Sequence, residues 1–295
     1  MQIAHLKTVE RPGKLLSILA NILADINADP QITKQTARTY KPRYEQIKNY
    51  CTKNNLIASD PEEWDTERVK HFVHFMLGSG YDPETTRKTQ NFLFRAIEPY
   101  NRAKSISVPP KVKLRRKNKP LIYLSENEIE VLAGHRFASQ KLERVRDLFL
   151  IQCYSGVSYA DIHKLNRKGL CVIDGIEVIQ ATRQKCGTLF TVPVIPELGK
   201  LLDKYEWKPP VISNAKYNAY LKEVAIVTGV DKHLRTHDAR RSAAMYYLRL
   251  TGSIDVCAAI LGHVDTRETY KTYAKYLPTH LIEAMKRAGT FKKTA

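Results

Sequence analysis

The sequence predicts a mainly α fold with a small antiparallel β-sheet, divided into a helical first domain and an α+β second domain. Three observations carry this expectation. Apolar and aromatic residues recur at helical spacing up to about residue 106. Pro109-Pro110 then stops the pattern, and six basic residues follow between Lys111 and Lys119. From about residue 170 the period shortens to two, with β-branched residues alternating with polar ones. A chain of 295 residues is long enough for two domains. The expected boundaries are a tail over 1–13, a helical domain over 14–106, a basic linker over 107–120, and an α+β domain over 121–295 that closes on a C-terminal helix.

The elements follow in order. TARTYKPRYEQIKNYCTKNN places Tyr40, Tyr44, Ile47 and Cys51 on one helical face, with basic residues between them. TERVKHFVHFMLGSG is a second helix, ended by Gly78 or Gly80. PETTRKTQNFLFRAIEPYNRA is a third, with Phe92, Ile97 and Tyr100 inward. After the linker, Ser125 and Glu128 of SENE form a capping box: the serine accepts from the first turn and the glutamate reaches back. LERVRDLFLIQCYSG reads as a buried helix. CVIDGIEVIQATRQKCGTLFTVPV reads as three short antiparallel strands, turning at Asp174-Gly175 and again at Lys185-Cys186-Gly187. Beyond Trp207 the chain is helical again. TGSIDVCAAILGH is a short helix closed by Gly262, and Asp265 to Glu268 read as a second capping box. That box opens a helix carrying Tyr270, Tyr273 and Tyr276.

The charge balance narrows the partners. Forty-eight Lys and Arg against 30 Asp and Glu leave a net charge of +18 and a pI near 9.6. Such an excess suits a polyanion, and nucleic acid before a membrane surface. The run over 111–119 reads as a linker lying along phosphates. No apolar run approaches a membrane span, and MQIAHLKTVERPG lacks the core of a signal peptide. The five cysteines are odd in number and scattered, which points away from a disulfide framework or a zinc site and toward a reduced, cytoplasmic setting.

The chemistry-bearing residues cluster late in the chain. His237 and Arg240 of THDARR lie three apart and share a helical face. His263 sits at the turn after Gly262, ahead of the tyrosines. A phosphodiester under attack gathers negative charge, which guanidinium groups meet bidentately. The same cations favour a phenolate, which tyrosine otherwise reaches only near pH ~10. Lys185, at a hairpin tip beside Arg183, is the candidate general acid for a leaving 5′ oxygen.

RQK on a hairpin, HDAR, LGH and a following tyrosine together resemble the tyrosine recombinases, or phage integrase family. CYSGVSYADIHKL, TRQKCGTLFTVPV and LGH…TYAKY look most like integrases of Bacteroidetes mobile elements. The resemblance covers about residues 121 to 285. It implies a helical core-binding domain before an α+β catalytic domain. It also implies cutting and rejoining of double-stranded DNA through a 3′-phosphotyrosine bond, without metal or ATP, by a homotetramer on synapsed DNA, with accessory directionality or DNA-bending proteins as further partners. By position, His237 and Arg240 match the family's HxxR, Lys185 its hairpin lysine and His263 the histidine of LGH. Tyr273 is the expected nucleophile, ten residues after His263 where the family usually has nine; Tyr270 is the reserve. The family's first catalytic arginine is replaced here by Ser158. Arg183 is the expected substitute, two residues before Lys185 and so on the same side of a strand; Arg144 and Arg146 are its rivals. Two other readings are a catalytically silent DNA-binding protein on the same scaffold and an enzyme like the type IB topoisomerases.

Overall fold

The computed structural model describes residues 14–115 and 120–276. The expected N-terminal tail and C-terminal helix therefore lie outside the described residues. The chain divides into two compact units between Lys119 and Pro120.

The first unit is built from α1 (Lys14–Ala28), α2 (Lys34–Ala37), α3 (Tyr40–Lys53), α4 (Thr66–Gly78) and α5 (Pro83–Ala103). Asp65 and Asp82 cap α4 and α5 by accepting backbone N–H bonds, and Pro83 occupies the first turn of α5 where no N–H is needed. Trp64, Phe72 and Tyr50 form the fully enclosed aromatic centre, with Tyr50 packed edge-on against Phe72 and tilted against Trp64. Each large side chain buried this way contributes ~1.5–3 kcal/mol. Tyr50, absent from the face expected on α3, is more deeply buried than Tyr40 or Tyr44.

The start of the basic stretch is bound to this unit. Val108, Val112 and Leu114 pack on its core. Asn101 donates to the Ser107 carbonyl and Gln90 to the Val112 carbonyl, while the Lys111 ammonium lies 5.0 Å from the centre of the Phe94 ring. Residues 107–115 are therefore held by alternate apolar side chains, with the charges between them turned outward.

The second unit starts with α6 (Glu126–Gly134), whose Ser125/Glu128 capping box is formed as expected. α7 (Gln140–Ser155) is buried over its last eleven residues and ends at Gly156 in the left-handed region. A 3₁₀ turn over Tyr159–Lys164 leads to β1 (Leu170–Ile173), β2 (Ile176–Thr182) and β3 (Leu189–Pro193), a meander in the order β1-β2-β3. Asp174 and Gly175 both have positive φ, as their two-residue turn requires. α8 (Pro196–Lys204) and α9 (Asn214–Thr228) precede α10 (Thr236–Thr251), α11 (Ile254–Leu261) and α12 (Thr266–Tyr273). α10 packs on α7 and α11, and α11 also touches β3 and α12. This contact set brings the end of α7, the β2–β3 hairpin, the start of α10 and the start of α12 to one place.

Two local expectations differ. β2 ends at Thr182, so Arg183 lies past the strand, in the turn that carries Lys185 as expected. Asp265 caps α12 through Arg267 N, yet Glu268 does not close the box; its side chain faces the cleft described below. Among the described residues no helix is long and apolar enough to cross a membrane.

Candidate active site

Arg183, Lys185, His237, Arg240, His263 and Tyr273 all line one cleft of about 460 Å³ in the second unit. Each is delivered by a different local device. The hairpin over 183–188 closes by Arg183 N to Thr188 O (2.8 Å) and Gly187 N to Arg183 O (2.9 Å). α10 presents His237 and Arg240 from its first two turns. Gly262 ends α11 with φ +59°, a left-handed conformation that releases His263 into the cleft. α12 supplies Tyr273 from its last turn.

Arg240 is 5% exposed, and its guanidinium is cradled by main chain. Nη1 donates to Gly156 O and Nη2 to Leu261 O, both at 2.6 Å. These partners are carbonyl dipoles rather than a carboxylate, so the positive charge stays available to an anion. Burial, and then the nearby Arg183 charge, lower its pKa to about 10. It remains a cation at neutral pH.

Arg183 lies alongside. Its Nη1 donates to Gly262 O at 3.0 Å, while its buried Nε has no hydrogen-bond partner. A buried donor left unmade costs ~1–3 kcal/mol. Two guanidinium groups close together in one cleft suit an anion such as phosphate. Gly262 makes room for this. A Cβ there would stand 2.9 Å from Arg183 Cδ and 3.0 Å from Phe190 Cβ.

The histidines are poor bases in this field. His263 accepts or donates at Nδ1 with Thr269 Oγ1, 2.6 Å away. Burial, Arg240, Arg183 and His237 push its pKa down to about 4. His237 is exposed at the rim, yet partial desolvation and the Arg241 and Arg240 charges lower its pKa as well. Both rings are neutral at pH 7 without substrate.

Of the three tyrosines only Tyr273 enters the cleft. It is 5% exposed, whereas Tyr270 is 62% exposed and Tyr276 packs edge-on against Tyr123. Burial raises the Tyr273 pKa to about 12, and Arg240 and Arg241 pull against that rise. Arg241, one residue further round α10 than Arg240, would be placed by helix geometry away from that residue's face. It lines the cleft instead, with Nη1 on Asp238 Oδ1 at 2.9 Å. The adjacent RR pair was the signal for it.

The Ser158 position is occupied by a hydrogen-bond network. Ser158 Oγ donates to Asp161 Oδ2 at 2.6 Å, and Asp161 Oδ1 accepts from Gln184 N at 2.8 Å. Burial alone would raise the Asp161 pKa, but the bonds from Ser158, Gln184 N and Lys164 hold it below the ordinary carboxylate value. Arg146 is spent elsewhere: it pairs with Asp147 and donates to the carbonyls of Leu132, Ala133 and His135, ending α6. Among the described residues no group of three His, Cys, Asp or Glu side chains is placed to hold a metal ion.

Comparison with known proteins agrees with this architecture. Residues 208–280 match the phage integrase family, a stretch that includes His237, Arg240, His263 and Tyr273 but neither Arg183 nor Lys185. Comparison with curated proteins gives no match. Three solved structures share the fold. The XerH site-specific recombinase bound to palindromic difH substrate, in a post-cleavage complex, has a TM-score of 0.67 at 15% identity, covering 91% of this chain and 83% of that one. The lambda integrase dimer bound to a COC′ core site has a TM-score of 0.66 at 15% identity, covering 86% and 94%. The Tn1549 transposon integrase with circular intermediate DNA has a TM-score of 0.66 at 12% identity, covering 87% and 93%. The chain thus shares the fold of these recombinases and integrases, and its residues 208–280 match the phage integrase family.

Proposed function

We propose that this protein is a site-specific DNA recombinase, an integrase that cuts and rejoins double-stranded DNA through Tyr273. The observation that carries the reading is the placement of one buried phenol in a cleft with the three guanidinium groups of Arg183, Arg240 and Arg241, two histidines and a hairpin lysine. Arg240 and Arg183 hold the non-bridging oxygens of the scissile phosphate. Tyr273 Oη attacks phosphorus, its proton leaving to water or to a histidine made more basic by the bound phosphate anion, and the bond to the 5′ oxygen breaks as Lys185 protonates that oxygen. His263, fixed at Nδ1 by Thr269, offers its other ring nitrogen to the phosphate, and His237 bonds it from the rim. The phosphate enters as an anion between cations, which lowers the barrier where charge develops. The 3′-phosphotyrosine keeps the energy of the broken bond, so a 5′ hydroxyl of a partner strand reverses the step.

In this reading the helical unit is a DNA-binding domain and the second unit the catalytic one. A homotetramer on synapsed DNA, helped by accessory directionality or DNA-bending proteins, completes two strand exchanges for a mobile element, of the Bacteroidetes kind, on nucleoid DNA in the cytoplasm. The net charge of +18 supports DNA as the partner. The test is covalent trapping. A site recovered by selection from a random DNA pool is made into a nicked suicide substrate. Wild type traps an adduct, Tyr273→Phe binds without trapping, and Tyr270→Phe traps as wild type does. Tight binding with no adduct from wild type on any nick position establishes the silent DNA-binding protein instead.

A further inference from the structure

Lys164 has no place in the chemistry above, yet it reaches the hairpin that carries two of the cleft's cations. It ends the 3₁₀ turn over Tyr159–Lys164, and its side chain is 22% exposed. Its Nζ donates to the carbonyl of Thr182, the last residue of β2, and lies 3.4 Å from Asp161 Oδ1. Asp161 in turn takes the N–H of Gln184. The same 3₁₀ turn thus grips the main chain at residues 182 and 184, immediately before and after Arg183. From the opposite side Arg183 is tied to Gly262 O. Within itself the hairpin is closed by Arg183 N to Thr188 O, Gly187 N to Arg183 O, and a contact of 3.1 Å between Cys186 Sγ and Thr188 Oγ1. Its tip, Gln184 to Gly187, is exposed.

We propose that Lys164, acting with Asp161, is a positioning residue that fixes the height of the 183–188 hairpin over the cleft and so places Lys185 at the leaving oxygen. This deepens the recombinase reading and rests on it. The physical reason is the length of the lever. Lys185 is exposed, lines the cleft and stands three residues beyond Thr182, so a small tilt of the hairpin base moves its ammonium by much more. An ammonium bonded to the Thr182 carbonyl and close to the carboxylate of Asp161 resists that tilt, because withdrawing it takes a cation from beside the charge of a 2% exposed aspartate. Ser158 contributes by occupying the second oxygen of Asp161, which keeps the first one for Gln184 N and Lys164. A serine in this position therefore builds the hairpin's anchor.

The experiment uses the full chain on a suicide substrate in two forms, one with the natural 5′ oxygen leaving group and one with sulfur in its place. A thiolate leaves without a proton, so the sulfur form does not need a general acid. Lys164→Ala is expected to slow adduct formation on the oxygen substrate by about 10²-fold, the size of a roughly 1 Å misplacement. On the sulfur substrate it is expected to recover to within severalfold of wild type, as Lys185→Ala also should. Lys164→Arg, which keeps the cation and the reach, should retain most activity on both. DNA affinity of Lys164→Ala should match wild type, and its thermal midpoint should fall modestly, through loss of the cation beside buried Asp161, while staying above the assay temperature. Equal loss on both substrates overturns the proposal, since that marks general damage rather than a displaced acid. Wild-type rates on the oxygen substrate overturn it as well. Failure of the recombinase reading is separate: wild type itself then forms no adduct with either substrate.

Discussion

Arg183→Met separates the electrostatics of the cleft from its packing. Methionine keeps the unbranched stem that passes beneath Gly262 and beside Phe190, and removes the guanidinium. Folding loses one hydrogen bond, Nη1 to Gly262 O at 3.0 Å, worth ~1 kcal/mol. It gains by removing the unpartnered Nε, a defect of ~1–3 kcal/mol, and by relieving the repulsion that depresses the Arg240 pKa. The two sides roughly cancel, so the unfolding free energy should stay within about 1 kcal/mol of wild type or rise slightly. Cleavage should respond very differently. Losing one of two charged donors to a developing dianionic phosphate costs about 3 kcal/mol, or on the order of 10²-fold in rate. Single-turnover adduct formation gives the rate, a thermal melt gives stability, and equilibrium binding at fixed salt gives DNA affinity. A variant that melts like wild type, binds DNA nearly as well and cleaves ~10²-fold more slowly meets the expectation. Cleavage within threefold of wild type would refute it, and the second guanidinium would have to be Arg241. A melting midpoint that falls in step with activity would refute it too, because Arg183 would then be a structural strut.

Two other outcomes follow from the same geometry. Gly262→Ala forces a left-handed alanine, costing ~1–2 kcal/mol, and drives its Cβ against Arg183 Cδ and Phe190 Cβ; the melting midpoint should fall and cleavage should drop more than DNA binding, and an unchanged melt with full activity would contradict the close packing. The folded-state pKa of His263, about 4, lies below its unfolded value near 6.5, so the unfolded chain binds more protons between those limits. Stability from this group is complete above about pH 6.5 and declines as pH falls toward about 4; a melt series from pH 7 to 4 should show His263→Gln less pH-sensitive than wild type, and parallel curves would count against it.

Much of this molecule is written in short-range chemistry, and the sequence determined those parts alone. Ser125 and Glu128 cap α6 from three residues apart. Asp174 and Gly175 turn the first hairpin because both tolerate positive φ. Gly262 ends α11 for the same reason and puts His263 beside the tyrosine helix. Tyr273 was the leading candidate through the family resemblance, while helical spacing alone gave Tyr270 and Tyr276 comparable places. Only the tertiary structure distinguishes their surroundings, with Tyr273 buried, Tyr270 exposed and Tyr276 against Tyr123. The site's deeper features are long-range. Arg240 is cradled by carbonyls 84 and 21 residues away, and Asp161 catches a main-chain N–H 23 residues on. No periodicity or cap signals such partners, because they exist only once α7, the hairpin and α11 have packed together. The basic stretch divides the same way: its charges were plain in the sequence, while its attachment to α5 rests on Val108, Val112 and Leu114 finding a core that only the folded helices create.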